Sequence, residues 1–144
     1  MFIGEHTHLI DNKKRLAIPS RFRKGLGDKA VLTRGLDNCL FLYPLQEWQK
    51  FSEKLGQLSM GQANIRSFAR LMLTGAVEVE FDNLGRILIP DYLKNYAELK
   101  KKIIVAGVLN RLEIWDQEKW EGYKKEIEKN TDAIAEKLGE LGLI

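Results

Sequence analysis

The sequence predicts a mainly β fold with flanking helices, an α+β protein in which two tandem strand–loop–strand units pair into one closed barrel. The first observation behind this prediction is an internal repeat, because residues 11–23 match residues 82–94 at an offset of 71. The coinciding residues are Asp11/Asp82, Asn12/Asn83, Arg15/Arg86, Ile18/Ile89 and Pro19/Pro90. The second observation is size: each half of this 144-residue chain is too small to bury a comfortable core alone, so the copies are expected to share one.

Each copy is predicted to contain a strand, a turn and a second strand. Residues 76–81 alternate apolar and acidic side chains, which is typical of a half-buried strand. The Asp-Asn pair that follows favours a turn, since both side chains can hydrogen-bond their own backbone. Short apolar runs over 16–18 and 87–89 then form second strands, and Pro19 and Pro90 end them because proline has no N–H to donate. The turn of each copy is therefore expected to lie exposed between two strands.

A second hairpin and a helix complete each copy. The further predicted strands are 30–33, 39–43, 103–106 and 112–115, with turns containing Gly and Asn inside each pair. Apolar side chains at helical spacing predict a helix after each hairpin, a connecting helix over 62–73 and a weaker helix over 131–138. Two hairpins standing alone would expose unpaired edges and an open apolar face, and closing both copies into one barrel removes both problems.

This interpretation divides the chain into four segments. They are a first strand-rich unit at 1–50, a connecting helical segment at 51–75, a second strand-rich unit at 76–122 and a C-terminal helical tail at 123–144. Because the two units copy each other, any functional site built on one is expected to occur twice.

Positive charge is concentrated in the first copy. The chain has a net charge of +3, yet residues 11–34 alone hold eight basic and two acidic side chains. Such a concentration indicates an anionic partner or, equally, a solvated basic face. No apolar run approaches the length of a membrane span, and no secretory signal is expected, so no membrane partner is predicted. The single cysteine, Cys39, suits a reducing cytoplasm.

No catalytic grouping stands out, so the sequence predicts a protein that is not an enzyme. His6 and His8 share one face of a strand, but they lack a third ligand, and a structural role is the simpler interpretation. Asp11 and Asp82 each precede an arginine by four residues, where a local ion pair or turn is expected. We therefore expect no metal, no cofactor and no small-molecule substrate.

The repeated pattern resembles the swapped-hairpin DNA-binding family of AbrB and SpoVT. It reads as a strand, an Asp-x-x-x-Arg loop, an apolar run ending in Ile-Pro, and a basic residue shortly afterwards. Two copies in one chain resemble the tandem MraZ branch of regulators. The opening residues 1–4 and the stretches 68–70 and 78–90 are also similar to that branch.

The resemblance implies a cytoplasmic, nucleoid-associated transcription factor. Its barrel would be a swapped-hairpin, double-psi-like barrel, and its chains would assemble into a ring-like homo-oligomer. The expected role is repression of the bacterial division and cell-wall gene cluster, through repeated short promoter boxes in double-stranded DNA. Carried over by position, the DNA-contacting loops give Asp11, Arg15, Asp82 and Arg86. Basic neighbours complete the predicted DNA-binding set: Lys13, Lys14, Arg21 and Arg23.

One position departs from the family pattern. The first loop has Lys14 where Gly is usual, although Gly85 is present in the second loop. If a positive φ is needed there, Lys14 is strained by about 1 kcal/mol or the loop differs in shape. Lys14 could equally supply a phosphate contact. The alternative function for the whole chain is a non-catalytic ring whose basic loops bind an acidic partner.

Overall fold

The computed structural model describes all residues from Met1 to Ile144 as eight strands and six helices. The strands are β1 (Phe2–Leu9), β2 (Arg15–Ala17), β3 (Lys29–Arg34), β4 (Leu40–Pro44), β5 (Val77–Glu80), β6 (Arg86–Leu88), β7 (Lys102–Leu109) and β8 (Arg111–Asp116). The helices are α1 (Ser20–Leu26), α2 (Leu45–Gln57), α3 (Ala63–Thr74), α4 (Asp91–Tyr96), α5 (Gln117–Lys129) and α6 (Thr131–Glu140). None of these helices is both long and apolar enough to cross a membrane.

The two halves of the chain exchange strands within one antiparallel sheet. Its six strands run in the order β1-β7-β8-β4-β3-β5. Strand β1 of the first half pairs with β7 of the second, from Phe2 opposite Leu109 to Leu9 opposite Lys102. Strand β5 of the second half pairs in turn with β3 of the first. Each half therefore completes the sheet of the other, which agrees with the predicted sharing of a core.

The predicted α+β class is confirmed, but no closed barrel is detected. Strands β2 and β6 form a separate two-stranded sheet instead of joining the six-stranded one. An isolated bridge pairs Leu16 of this ribbon with Ile10, which follows β1, and side chains of both sheets share one core. The physical reason is length: β2 and β6 have three residues each and stop before Pro19 and Pro90, so neither can form a ladder with two neighbours.

The six-stranded sheet has an apolar core on each face. On one face a cluster of 20 buried residues joins the sheet to the β2–β6 ribbon and to α1 and α4. On the other face eight buried residues, together with partly buried aromatic side chains, pack against α2, α3 and α5. Alternation along β4 explains the division, because Leu40 and Leu42 join the first core while Phe41 and Tyr43 join the second.

Two short helices were not predicted from the sequence. Helices α1 and α4 begin directly after Pro19 and Pro90, where the sequence indicated only the end of a strand. Each proline is the N-cap of its helix, and its carbonyl accepts the first N–H groups of the helical turn: those of Phe22 and Arg23 onto Pro19, and those of Leu93 and Lys94 onto Pro90. The two helices carry Phe22 and Leu93 into the core beneath the ribbon. They also carry basic side chains to the edges of the two loops.

Candidate nucleic-acid interface

The two Asp-x-x-x-Arg segments form loops at opposite ends of the β2–β6 ribbon. We call residues 11–15 the first loop and residues 82–86 the second loop. The strands that follow them pair antiparallel, with Leu16 opposite Ile87 at the centre. These two side chains are buried, so the alternation of a strand places Arg15 and Arg86 on the outer face of the ribbon. One short strand pairing thus presents both arginines on the same surface.

The carboxylate of each loop is engaged inside its own loop. Asp11 Oδ1 accepts hydrogen bonds from the backbone N–H groups of Lys13 and Arg15, at 2.9 and 2.8 Å. Its Oδ2 accepts a bond from Arg15 Nε at 2.8 Å. Asp82 makes the same three contacts in the second loop, at 2.9, 2.9 and 2.7 Å. The aspartates therefore shape the loops and hold the arginines through Nε.

The two loops also approach each other. Arg86 Nη1 lies 3.7 Å from Asp11 Oδ2, so the second arginine faces the first carboxylate across the ribbon. Hydrogen bonds from the Arg15 backbone N–H and guanidinium lower the pKa of Asp11, and those from Arg86 lower the pKa of Asp82. Both carboxylates are thus ionised at neutral pH and can pair with the guanidinium groups of their arginines.

Lys14 adopts the backbone conformation that its glycine counterpart adopts. Its φ is 62°, and the φ of Gly85 is 73°, so the first loop keeps the shape of the second and Lys14 bears the strain. In both loops this conformation lets the backbone carbonyl accept a hydrogen bond from the other repeat. The Lys14 carbonyl accepts the Ile89 N–H at 2.8 Å, and the Gly85 carbonyl accepts the Ile18 N–H at 3.0 Å. The Lys14 ammonium forms an ion pair with Asp91 at the start of α4.

The remaining predicted basic residues lie in different places. Lys13 is exposed at the tip of the first loop. Arg21 Nη2 donates to the Ile3 carbonyl at 2.6 Å, which ties α1 to β1 away from the loops. Arg23 lies against the second loop, because a Cβ at Gly85 would come within 2.1 Å of Arg23 Nη1. Arg23 of the first repeat therefore contacts the loop of the second repeat. No pattern in the sequence indicated this contact between the repeats.

Leu84 is an exposed residue of this surface that the sequence analysis did not single out. It occupies the position in the second loop that Lys13 has in the first, and the residue is 69% exposed. Leu88, beside Arg15 on the ribbon, is also exposed. The aligned repeats contained this Lys-to-Leu difference. The tip of the second loop is therefore more apolar than the tip of the first, while Leu88 lies at the first-loop end of the ribbon.

The other candidate groups do not form a second site. Burial raises the pKa of the Cys39 thiol far above its ordinary range, so the group stays protonated within the second core. Its Sγ lies 3.2 Å from the Leu36 carbonyl. His6 packs edge-on against Phe22 at a centroid distance of 5.4 Å. Burial and the neighbouring His6 lower the pKa of His8, and no three potential metal ligands cluster anywhere in the chain.

Comparison with known proteins identifies relatives over the full chain. The sequence model of the family described as "MraZ protein, putative antitoxin-like" matches residues 1–71 and again residues 72–140. The chain is 49% identical over 138 residues to the transcriptional regulator MraZ of Natranaerobius thermophilus, covering 96% of each protein. It is 48% identical over 143 residues to that of Acetivibrio thermocellus, covering 99% of this chain and 100% of the relative. For Clostridium acetobutylicum the identity is 50%, with the same coverage.

Proposed function

The chain belongs to the MraZ family of transcriptional regulators, and from that premise we propose that it binds double-stranded DNA in a sequence-specific manner through its first and second loops. The resemblance inferred from the repeated segment is thereby confirmed at the level of the family, which is one of regulators and not of enzymes. In the proposed role, the protein works at the nucleoid in the cytoplasm and represses the division and cell-wall gene cluster.

The paired arginines carry this proposal. Arg15 and Arg86 lie on one face of the ribbon, each fixed through Nε by the aspartate of its own loop. An arginine held through Nε can direct its terminal Nη groups to an outside acceptor, and a guanidinium fork matches the O6 and N7 atoms of guanine. In Arg15 both Nη groups are left for this role, whereas Nη1 of Arg86 also faces Asp11. In this proposal Asp11 and Asp82 position the arginines and do not themselves contact DNA. Lys13 at the exposed tip is suited to a phosphate.

Each loop can read only a few base pairs, so useful specificity requires several chains on repeated short boxes. We therefore include a ring-like homo-oligomer in the proposal. Apolar side chains that this chain leaves exposed support it, and four of them lie close together in sequence, in α6 and the residues after it: Ile134, Leu141, Leu143 and Ile144. Met72 of α3 is fully buried in the second core and is not available for an interface.

Selection of DNA followed by a binding assay tests the proposal. Genomic fragments retained by the protein are sequenced, and the enriched duplex is compared with a scrambled duplex by fluorescence anisotropy. We expect Arg15→Ala to abolish the preference for the enriched duplex, because each bidentate base pairing contributes about 1–3 kcal/mol of discrimination. Arg70→Ala is the matched control, since Arg70 is exposed on α3 at the opposite face of the sheet.

Three results would overturn the assignment. A folded Arg15→Ala protein with wild-type preference would remove Arg15 from the base-reading site. Loss of stability without loss of preference would make the Arg15–Asp11 pair purely structural. Absence of any DNA binding by the wild-type protein, with acidic polypeptides competing for the loops, would favour the alternative of a ring that binds an acidic partner.

A further inference from the structure

An open concavity of about 290 Å³ lies beside the first loop. One side is formed by Ile10, by residues 11–12 of the loop and by Lys14, and the other by Lys94, Lys100 and Lys101 from the second repeat. Four lysines therefore surround a space that contains one carboxylate, that of Asp11. None of the second-repeat lysines belongs to the surface that the sequence predicted for DNA.

The acidic groups nearby leave two of these lysines without a partner. Asp11 is engaged by its own loop and by Arg86. Lys14 pairs with Asp91, and Lys100 Nζ lies 3.6 Å from Glu118 Oε2. Lys94 and Lys101 make no ion pair with any residue of the chain.

Lys94 is half-buried on α4. A lysine can bury its aliphatic stem while its ammonium stays in water, so the unpaired charge of Lys94 can be offered to an external anion.

Backbone hydrogen bonds between the repeats fix both lysines beside the first loop. The Ile10 N–H donates to the Lys101 carbonyl at 2.9 Å, which holds Lys101 next to the start of the loop. The Ile89 N–H donates to the Lys14 carbonyl at 2.8 Å, and α4 with Lys94 begins two residues later. The position of these lysines therefore follows from main-chain pairing.

At the second loop, too, a basic residue of one repeat lies beside the loop of the other repeat. Lys94 corresponds to Arg23 at the repeat offset of 71, and Arg23 lies against Gly85 of the second loop. Its Nε is buried without a hydrogen-bond partner. The concavity on that side is lined by equal numbers of basic and acidic residues. The basic ones are Arg23, Lys24 and Lys29, and the acidic ones are Asp28, Glu80 and Asp82. Only the side of the first loop carries a clear excess of positive charge.

We propose that Lys94 and Lys101 contact the DNA phosphates that flank the first loop, so that the second repeat completes the DNA site of the first. This inference rests on the proposed function. Phosphate contacts fix the register of a protein on the duplex but carry no base information. Lys94 and Lys101 should therefore strengthen binding to every sequence by a similar factor and make it more dependent on salt.

The test compares two charge-matched double variants. Lys94→Gln/Lys101→Gln removes the proposed contacts, and Lys50→Gln/Lys54→Gln removes the same charge from α2, on the opposite face of the sheet. Binding to a mixed-sequence duplex and to the enriched duplex is measured by anisotropy over a series of salt concentrations. A plot of log K against log [salt] has a negative slope for a DNA-binding protein. We expect only the first variant to make this slope less steep, by about 0.9 for each phosphate that the protein no longer neutralises.

A charge-conserving variant guards against a change in folding. Lys94→Arg/Lys101→Arg should keep the wild-type slope, and thermal unfolding confirms that each variant is folded. A slope for Lys94→Gln/Lys101→Gln equal to that of the control would overturn the inference while leaving the proposed function intact. A changed ranking of duplexes would also overturn it, because the lysines would then read bases. Failure of the wild-type protein to bind any duplex would remove the proposed function and this inference together.

Discussion

At the scale of single residues, each arginine proposed to face DNA is prepared by a carboxylate four positions earlier. Asp11 and Asp82 accept two backbone hydrogen bonds through Oδ1 and the arginine Nε through Oδ2. A side chain fixed in this way loses less conformational entropy on binding than a free one. The aspartates are thus expected to raise affinity without touching DNA.

Lys14 and Gly85 have the same backbone conformation but should respond differently to substitution. Replacing Lys14 with Gly removes about 1 kcal/mol of left-handed strain. It also removes the ion pair with Asp91, which contributes about 0–1 kcal/mol at the surface. We expect Lys14→Gly to change the free energy of unfolding by less than about 1 kcal/mol.

Gly85→Ala is the contrasting variant. Its new Cβ meets the Arg23 guanidinium at a positive φ, so Arg23 must move, and we expect a loss of about 1–2 kcal/mol. Urea unfolding of both variants measures the difference. A larger loss for Lys14→Gly than for Gly85→Ala would contradict the equivalence of the two loops.

The loop carboxylates should make stability depend on acid pH. Hydrogen bonds in the folded state hold the pKa of Asp11 and Asp82 below the ordinary value of 3.8. Their contribution to stability is therefore complete above that value and is lost as the pH falls through the lower folded-state pKa. We expect Asp11→Asn/Asp82→Asn to unfold with a weaker pH dependence below 3.8 than the wild-type protein. Asp132→Asn on α6 is the control, and equal pH profiles for all three proteins would refute this account.

At the scale of elements, the β2–β6 ribbon determines how the two loops are presented. Each strand has three residues, and Leu16 opposite Ile87 anchors their centre in the core. We expect Leu16→Ala to lower the free energy of unfolding by about 2–5 kcal/mol, because it leaves a cavity beneath both loops. Leu88→Ala removes the same side chain from the exposed face of the ribbon and should cost far less. Similar losses in urea unfolding would mean that the ribbon is not anchored through Leu16.

The repeat made much of this ribbon predictable, because Asp-Asn turns and proline-ended apolar runs are local signals. The conformation of Lys14 was also accessible, since its aligned partner is Gly85. Two contacts between the repeats could not be predicted from the sequence: the hydrogen bond of Ile89 with Lys14, and the contact of Arg23 with the loop around Gly85. They depend on which copy covers which loop, and strand exchange between halves leaves no periodicity in the sequence.

At the scale of the whole molecule, the halves interlock while the C-terminal end stands apart. Strand β1 pairs with β7 and β3 pairs with β5, so each half is completed by the other. Helix α6, in contrast, contains no buried residue. The fold therefore does not depend on α6, and its exposed apolar side chains are free for another chain.

Removal of residues 131–144 should separate assembly from folding. We expect the shortened chain to unfold at the same temperature as the full chain, because no buried side chain is removed. In sedimentation, however, it should form an assembly with fewer subunits than the full chain. Its binding to repeated DNA boxes should weaken more than its binding to a single box, since linked sites multiply their affinities. Ile134→Glu should reproduce the loss of subunits, while Lys137→Gln on the same helix, which also lowers the net charge by one, serves as the charge control. A shortened chain that assembles like the full one would exclude α6 from the interface and direct attention to the exposed parts of α3 and α5.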